Sequence, residues 1–302
     1  MVSNVKVRQR KWIYFFRQLL ICSGIWAMFF MSGQMTGAPT VIIPQLRKDN
    51  TTELSDELTS WMYSAIGFSS VPWLFVLPPL MRAYGPRVPY IVACIDIMIV
   101  HVIFLFSVTP QQILLGEVVL GLANANCMTI GVIIISEYSS PQYRGIFLTI
   151  KSATVMWGIW SANAIGTFFH WKCIAYTGFL CSIYTFSFIF WPESPHWLAR
   201  NGRFEECRAS YRWLNGEDEN SEKDLEELIA SQVNEKNLMY SNDWSSFVNA
   251  LKTIASKPFY RPLMIAVLLI VQFTLGGKFL CAIYSIEILK KMTASEPAAY
   301  IG

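Results

Sequence analysis

The chain has 302 residues, of which 53% are hydrophobic, 15% aromatic and only 15% charged, too apolar a balance for an ordinary water-soluble domain. The formal net charge of +3 is small and no run of Lys and Arg is interleaved with aromatics, so no nucleic-acid partner is expected. The seven cysteines are scattered, with no Cys-x-x-Cys pair and no His at zinc-ligand spacing, and read as apolar packers rather than a metal site.

In chain order, a basic tail carrying Lys6, Arg8, Arg10 and Lys11 precedes the first apolar stretch. That stretch is interrupted by Arg17, runs long and lacks a cleavage site, so it reads as an uncleaved first span. A hydrocarbon core about 30 Å thick needs roughly 20 apolar residues of helix. Such stretches fall at 18–41, 58–81, 88–108, 112–136, 146–169, 172–191 and 262–285. They are too long for barrel strands, and their apolar residues run continuously instead of alternating. The expected fold is all-α, a polytopic membrane helix bundle. It divides into a tail at 1–17, a six-span bundle at 18–191, a helical loop at 192–261 and the first span of a truncated second bundle at 262–302.

Positive charge sets the orientation. Arg82 and Arg87 join the second and third spans, Arg144 and Lys151 the fourth and fifth; Arg200, Arg203 and Arg208 follow the sixth, and Lys252, Lys257 and Arg261 precede the seventh. All fall on one side if the amino terminus is cytoplasmic, although Lys290 and Lys291 then lie outside. Asn50-Thr51-Thr52, on the opposite face, matches a glycosylation acceptor, and a plasma-membrane protein is expected. Within the loop, Ser194 and Pro195 can start one helix, and a second can run from Arg203 to Leu214 before Gly216. A third opens near Ser221 to Asp224, with Leu225, Leu228, Ile229 and Val233 at helical spacing. Gly158, Ala162 and Gly166, and likewise Gly121 and Ala125, recur every four residues and predict close helix contact.

Two motifs carry a family resemblance. Ser136-Glu137-Tyr138-Ser139-Ser140-Pro141-Gln142-Tyr143-Arg144-Gly145 follows the fourth span, and Pro192-Glu193-Ser194-Pro195-His196-Trp197-Leu198 follows the sixth. They resemble the E-x6-R-G and P-E-S-P-R-W-L signatures of the sugar-porter branch of the major facilitator superfamily, in wording nearest to insect trehalose-facilitator-like members. The resemblance implies a six-helix repeat plus a seventh helix, working by alternating access. It also implies a charge network of Arg87, Glu137, Arg144 and Glu193 at the inner gate, and substrate-lining positions at Gln34, Ser152, Asn163, Thr274 and Phe279.

The chain departs from that pattern in three places. The loop Pro78-Pro79-Leu80-Met81-Arg82-Ala83-Tyr84-Gly85-Pro86-Arg87 keeps Gly85 and Arg87 but not the family's acid. In the seventh span, Phe273-Thr274-Leu275-Gly276-Gly277-Lys278-Phe279 replaces the paired amides that bond sugar hydroxyls, and Ser152 stands where the family has a Gln. A site built to read hydroxyls loses discrimination without those partners.

Charges inside spans suggest function. Glu117 and Lys278 lie about 8 and 10 Å from the outer ends of their spans at the helical rise, and the resemblance pairs them across the cavity near the outer gate. Asp96 and His101 lie on different faces of the third span and read as structural. No nucleophile–base pair, metal-ligand spacing or phosphate loop is present, so neither an enzyme nor a cofactor is expected. The expected function is facilitated movement of a sugar or similar small polar solute. The alternative is a non-transporting sensor or another seven-span receptor. A complete family member would have five more spans, so the chain is read as one half of a carrier, or as one that pairs with a second copy.

Overall fold

The computed structural model describes residues 2–48, 54–239 and 256–277, and among them every regular element is helical. The spans are α1 (Val2–Lys48), α2 (Asp56–Tyr84), α3 (Arg87–Phe106), α4 (Pro110–Tyr138), α5 (Pro141–Phe168) and α6 (Lys172–Thr185), with a tightened turn at Phe186–Phe190. The helices that follow are α7 (Pro195–Arg200), α8 (Phe204–Asn215) and α9 (Glu219–Met239), and α10 is Lys257–Leu275.

Local chemistry sets several of these boundaries. Ser55 accepts the Leu58 N–H at 3.2 Å and starts α2, satisfying one of the amides that a helix start leaves open. Gln112 folds back from α4 to accept the N–H groups of Val108 and Thr109 at 2.7 and 3.1 Å. Gly85 ends α2 at φ 88°, a left-handed conformation that costs glycine little. Its position also has no room for a side chain, since the Glu193 carboxylate lies 2.9 Å from where a Cβ would stand.

Four stretches are both long and apolar enough to cross a membrane: Trp12–Lys48, Asp56–Tyr84, Arg87–Phe106 and Pro110–Tyr138. Helix α5 has the length but carries Arg144 and Lys151, and α6 reaches span length only by adding its tightened turn. Helix α10 ends at Leu275 in a turn with Gly277 at φ 68°, and the remainder of the expected span to 285 lies outside the described residues. Large apolar side chains such as Phe68, Phe75, Phe106, Leu180 and Phe190 are exposed, the surface expected where lipid is the solvent.

Helix α1 forms the axis of the bundle. Ile21, Ile25, Met28, Met31, Met35, Ala38 and Ile42 are buried at successive three- and four-residue steps, one face of a helix. Its main partner is α5. A Cβ at Gly33 would run into the Val155 carbonyl and one at Gly158 into the Phe30 carbonyl; one at Gly37 would sit 3.1 Å from the Ile159 Cα. A Cβ at Gly166 would instead meet the Val41 side chain at 2.5 Å, and Ala162 is fully buried between Gly158 and Gly166. Backbone thus meets backbone around Gly33, Gly37 and Gly158, over about 6 Å of helix. The small residues of α5 were legible in the sequence; their counterparts on α1 were not.

Elsewhere Gly121 of α4 abuts Ser69 of α2, and Gly178 of α6 abuts the His101 ring. Asp96 accepts the Ala123 N–H at 3.1 Å and His101 Nδ1 bonds the Ile97 carbonyl at 2.6 Å, local duties of the kind read from the sequence. In α4, Cys127–Gly131 forms a π-helical turn that seats the Phe29 ring against Gly131.

Gly158→Leu will force α1 and α5 apart. The expected loss is about 1–3 kcal/mol or more, read as a lower thermal unfolding midpoint in detergent, whereas Gly145→Ala, where a Cβ meets no atom within 4 Å, will leave the midpoint unchanged or slightly raised.

Candidate functional site

Between α1, α2, α4 and α5 lies a central cavity of about 290 Å³. Phe29, Ser32 and Thr36 line it from α1, Tyr63 and Ser64 from α2, Glu117 and Asn124 from α4, and Val155, Met156 and Ile159 from α5. Thr36 and Ser64 donate their hydroxyl protons to the carbonyls of Ser32 and Ser60 at 2.8 and 2.9 Å, so toward the cavity they present lone pairs. Glu117 is fully buried, and neither carboxylate oxygen has a hydrogen-bond partner among the described residues.

The sequence-derived lining candidates sit elsewhere. Gln34 is buried and donates from Nε2 to Thr177 Oγ1 at 3.1 Å. Asn163 accepts from Thr40 Oγ1 at 2.6 Å, bracing α5 to α1. Ser152 is exposed and donates to the Leu148 carbonyl at 3.3 Å. None of the three is among the cavity's lining residues. Thr274 lies in the last turn of α10, while Asn50, Lys278 and Phe279 lie outside the described residues.

At the end of the bundle where α4 stops and α7 begins, the motif residues come together around Ser194. Its hydroxyl donates to Glu137 Oε2 at 2.6 Å and accepts the Trp197 N–H at 3.4 Å, so one side chain both starts α7 and binds the end of α4. Glu193 faces Arg87 at 4.0 Å, and Arg87 also donates to the Phe188 carbonyl at 3.3 Å. Tyr138 donates to the Pro192 carbonyl at 2.9 Å, and Trp197 Nε1 to the Arg82 carbonyl at 3.1 Å. Burial pushes the Glu193 carboxyl above the ordinary range, against the pull of the Arg87 guanidinium. Arg144 makes no ion pair within 4.0 Å among the described residues; its Nε is buried without a partner. It instead shares with Glu137, His196, Tyr211, Asp224 and Glu227 a second cavity of about 390 Å³.

Sequence reasoning missed the clasp beside this cavity. Gln18 donates to the Leu214 carbonyl and Asn215 Oδ1 at 3.1 and 3.0 Å, and accepts the Ser140 N–H at 3.0 Å. Arg17 donates to the Trp213 carbonyl at 2.8 Å and lies 4.6 Å over the Trp213 ring. The available signal was a charged and an amide residue together inside an otherwise apolar first stretch.

Taken together, the packed apolar helices, the cavity between them and the motif cluster at one end define a polytopic membrane helix bundle. A family model described as "Sugar (and other) transporter" matches residues 14–302, and the chain belongs to that family. The facilitated trehalose transporter Tret1 of Bombyx mori is 24% identical over 246 residues, covering 81% of this chain and 47% of the relative. Tret1 of Drosophila willistoni is 21% identical, covering 92% and 31%. Sugar transporter ERD6-like 9 of Arabidopsis thaliana is 35% identical over a shorter 98 residues, 32% of this chain and 30% of the relative. The chain therefore spans about half or less of the length of these relatives.

Among solved structures, the partially occluded inward-open xylose transporter XylE from E. coli superposes with a TM-score of 0.69 at 13% identity, covering 96% of this chain and 69% of that one. The fold is a major-facilitator six-helix repeat followed by a seventh helix, in a multi-pass membrane protein.

Ser194→Ala will remove both the α7 cap and the partner of Glu137. The expected cost is about 1–3 kcal/mol in thermal denaturation, with Ser194→Thr restoring most of it. Burial, and secondarily Arg144, hold the His196 pKa below its ordinary 6.5. The neutral ring is favoured in the folded chain, so that stabilisation is fully present above 6.5 and is lost as pH falls below it. Unfolding midpoints measured from pH 7.5 to 5 will fall less in His196→Asn than in the unsubstituted protein.

Proposed function

We propose that this chain is the amino-terminal part of a facilitator that moves a sugar or similar small polar solute down its gradient by alternating access. The observation that carries the reading is the family match over residues 14–302, together with relatives named as trehalose and sugar transporters. The cavity between α1, α2, α4 and α5 then supplies one wall of the solute path. The second wall comes from helices beyond 261, either of the same polypeptide or of a second copy.

In this reading the amino terminus is cytoplasmic and the protein sits in the plasma membrane, with Asn50 outside and open to glycosylation. The charge distribution along the chain supports that orientation. The inner gate uses the Glu137–Ser194 hydrogen bond and the facing Arg87 and Glu193. Such contacts bias the cycle only if they are made in one state and broken in the other. Thr274 and Phe279 complete the solute path from the seventh span.

A non-transporting sensor is the second reading, favoured by Gln34 and Asn163 being turned to Thr177 and Thr40 instead of to the cavity. Radiolabelled glucose, xylose and trehalose offered to proteoliposomes containing the product of the complete coding sequence separate the two. Saturable uptake of at least one sugar, with no dependence on an imposed pH gradient and a several-fold loss in Arg87→Gln, is expected of a facilitator. Absence of flux for every sugar from folded protein would overturn it in favour of the sensor.

A further inference from the structure

The central cavity is lined by acceptors beside the Asn124 amide and the Ser32 and Tyr63 hydroxyls, and among the described residues it carries a single acid buried in its wall. Glu117 contributes two carboxylate oxygens with no partner among the described residues. Thr36 and Ser64 have committed their protons to backbone carbonyls and contribute lone pairs. Phe29 and Tyr63 add aromatic faces to the wall. A neutral sugar hydroxyl both donates and accepts, and is read well by paired amides; the amides expected for that purpose, Gln34 and Asn163, are bonded elsewhere, and Asn124 is the single amide among the described lining residues. An ammonium group has three donors and no acceptor, is attracted to aromatic faces and neutralises a buried carboxylate that would otherwise stand uncompensated.

The distribution of cations fits the same chemistry. Lys151 lies 5.0 Å over the Phe29 ring, and Phe29 rests on Gly131, about 20 Å along α4 from Glu117 at the helical rise. That end of the cavity already has a positive charge, and the Glu117 end has none among the described residues.

We propose that Glu117 seats a protonated amine, so that the solute carried is a small polar compound with an ammonium group, of the amino-sugar kind, in preference to a neutral sugar. This rests on the carrier reading above for its transport meaning, but the binding site stands on its own geometry.

The test measures equilibrium binding of labelled glucosamine and of N-acetylglucosamine, its neutral counterpart, to the purified full chain in detergent at pH 7. Glucosamine is expected to bind at least tenfold more tightly. Glu117→Gln will bring the two affinities within about twofold of each other, and Glu117→Asp, which keeps a carboxylate, will retain a preference; size-exclusion profiles confirm that both variants are folded. Equal affinities in the unsubstituted protein, or a preference that persists in Glu117→Gln, overturn the proposal. So does glucosamine binding that arises only in Lys278→Met, because Glu117 would then be reserved for Lys278. Flux in proteoliposomes is read separately. Uptake without amine preference removes the amine site and leaves the carrier, while amine-selective binding without flux of any solute leaves the site and removes the carrier.

Discussion

The bundle depends on the contact between α1 and α5. In lipid, apolar side chains gain little by leaving their surroundings, so helices associate through close packing and hydrogen bonding. Gly33, Gly37 and Gly158 let two backbones touch where any side chain would hold them apart, and Gly166 makes room for the Val41 side chain. The residues beside the seam inherit its geometry. Ser32 and Thr36 on one helix, and Val155, Met156 and Ile159 on the other, line the central cavity, so its width on that side is set by how closely the glycines meet.

The end of the bundle around Ser194 is built on a different principle. There the described charged motif residues mostly do not pair with one another, and serines beside them satisfy the ends of helices. Ser194 starts α7 while binding Glu137, and Ser210 donates to the Glu193 carbonyl at 2.6 Å. Among the described motif residues only Arg87 and Glu193 face each other as opposite charges, at 4.0 Å and partly exposed, a geometry worth little by itself. Order at this face comes from backbone groups that would otherwise lack partners, with charge in a secondary role.

Much of the fold was legible because its signals are local. Apolar runs gave helices α2 to α6 to within about five residues, and Ser194 with Pro195 gave the start of α7. The loop helices appeared close to where capping residues and spacing put them, α9 beginning at Glu219, just before the expected opening near Ser221. Helix α1 overran its expected range at both ends because Pro39 and Pro44 do not end it and its first half continues back to Val2. The site was harder to read. An amide inside a span advertises that it needs a partner without saying which, and the partners of Gln34 and Asn163 are Thr177 and Thr40, brought near only by the packing of α1 on α5 and α6. Glu117 was conspicuous from the start, yet only the fold reveals that it lines the cavity with both oxygens unpartnered among the described residues.

Gln18 belongs to α1, but its three hydrogen bonds end on the last residues of α8 and on the residue before α5. One side chain thereby ties α1 to segments 122 and 196 residues further along the chain. Moving this end of α1 by even a fraction of a helical turn must either break all three bonds together or carry α5 and α8 along with it. Helix α8 is thus mechanically geared to α1, and a probe fixed to the exposed side of α8 would register the position of a helix whose middle lies in the core.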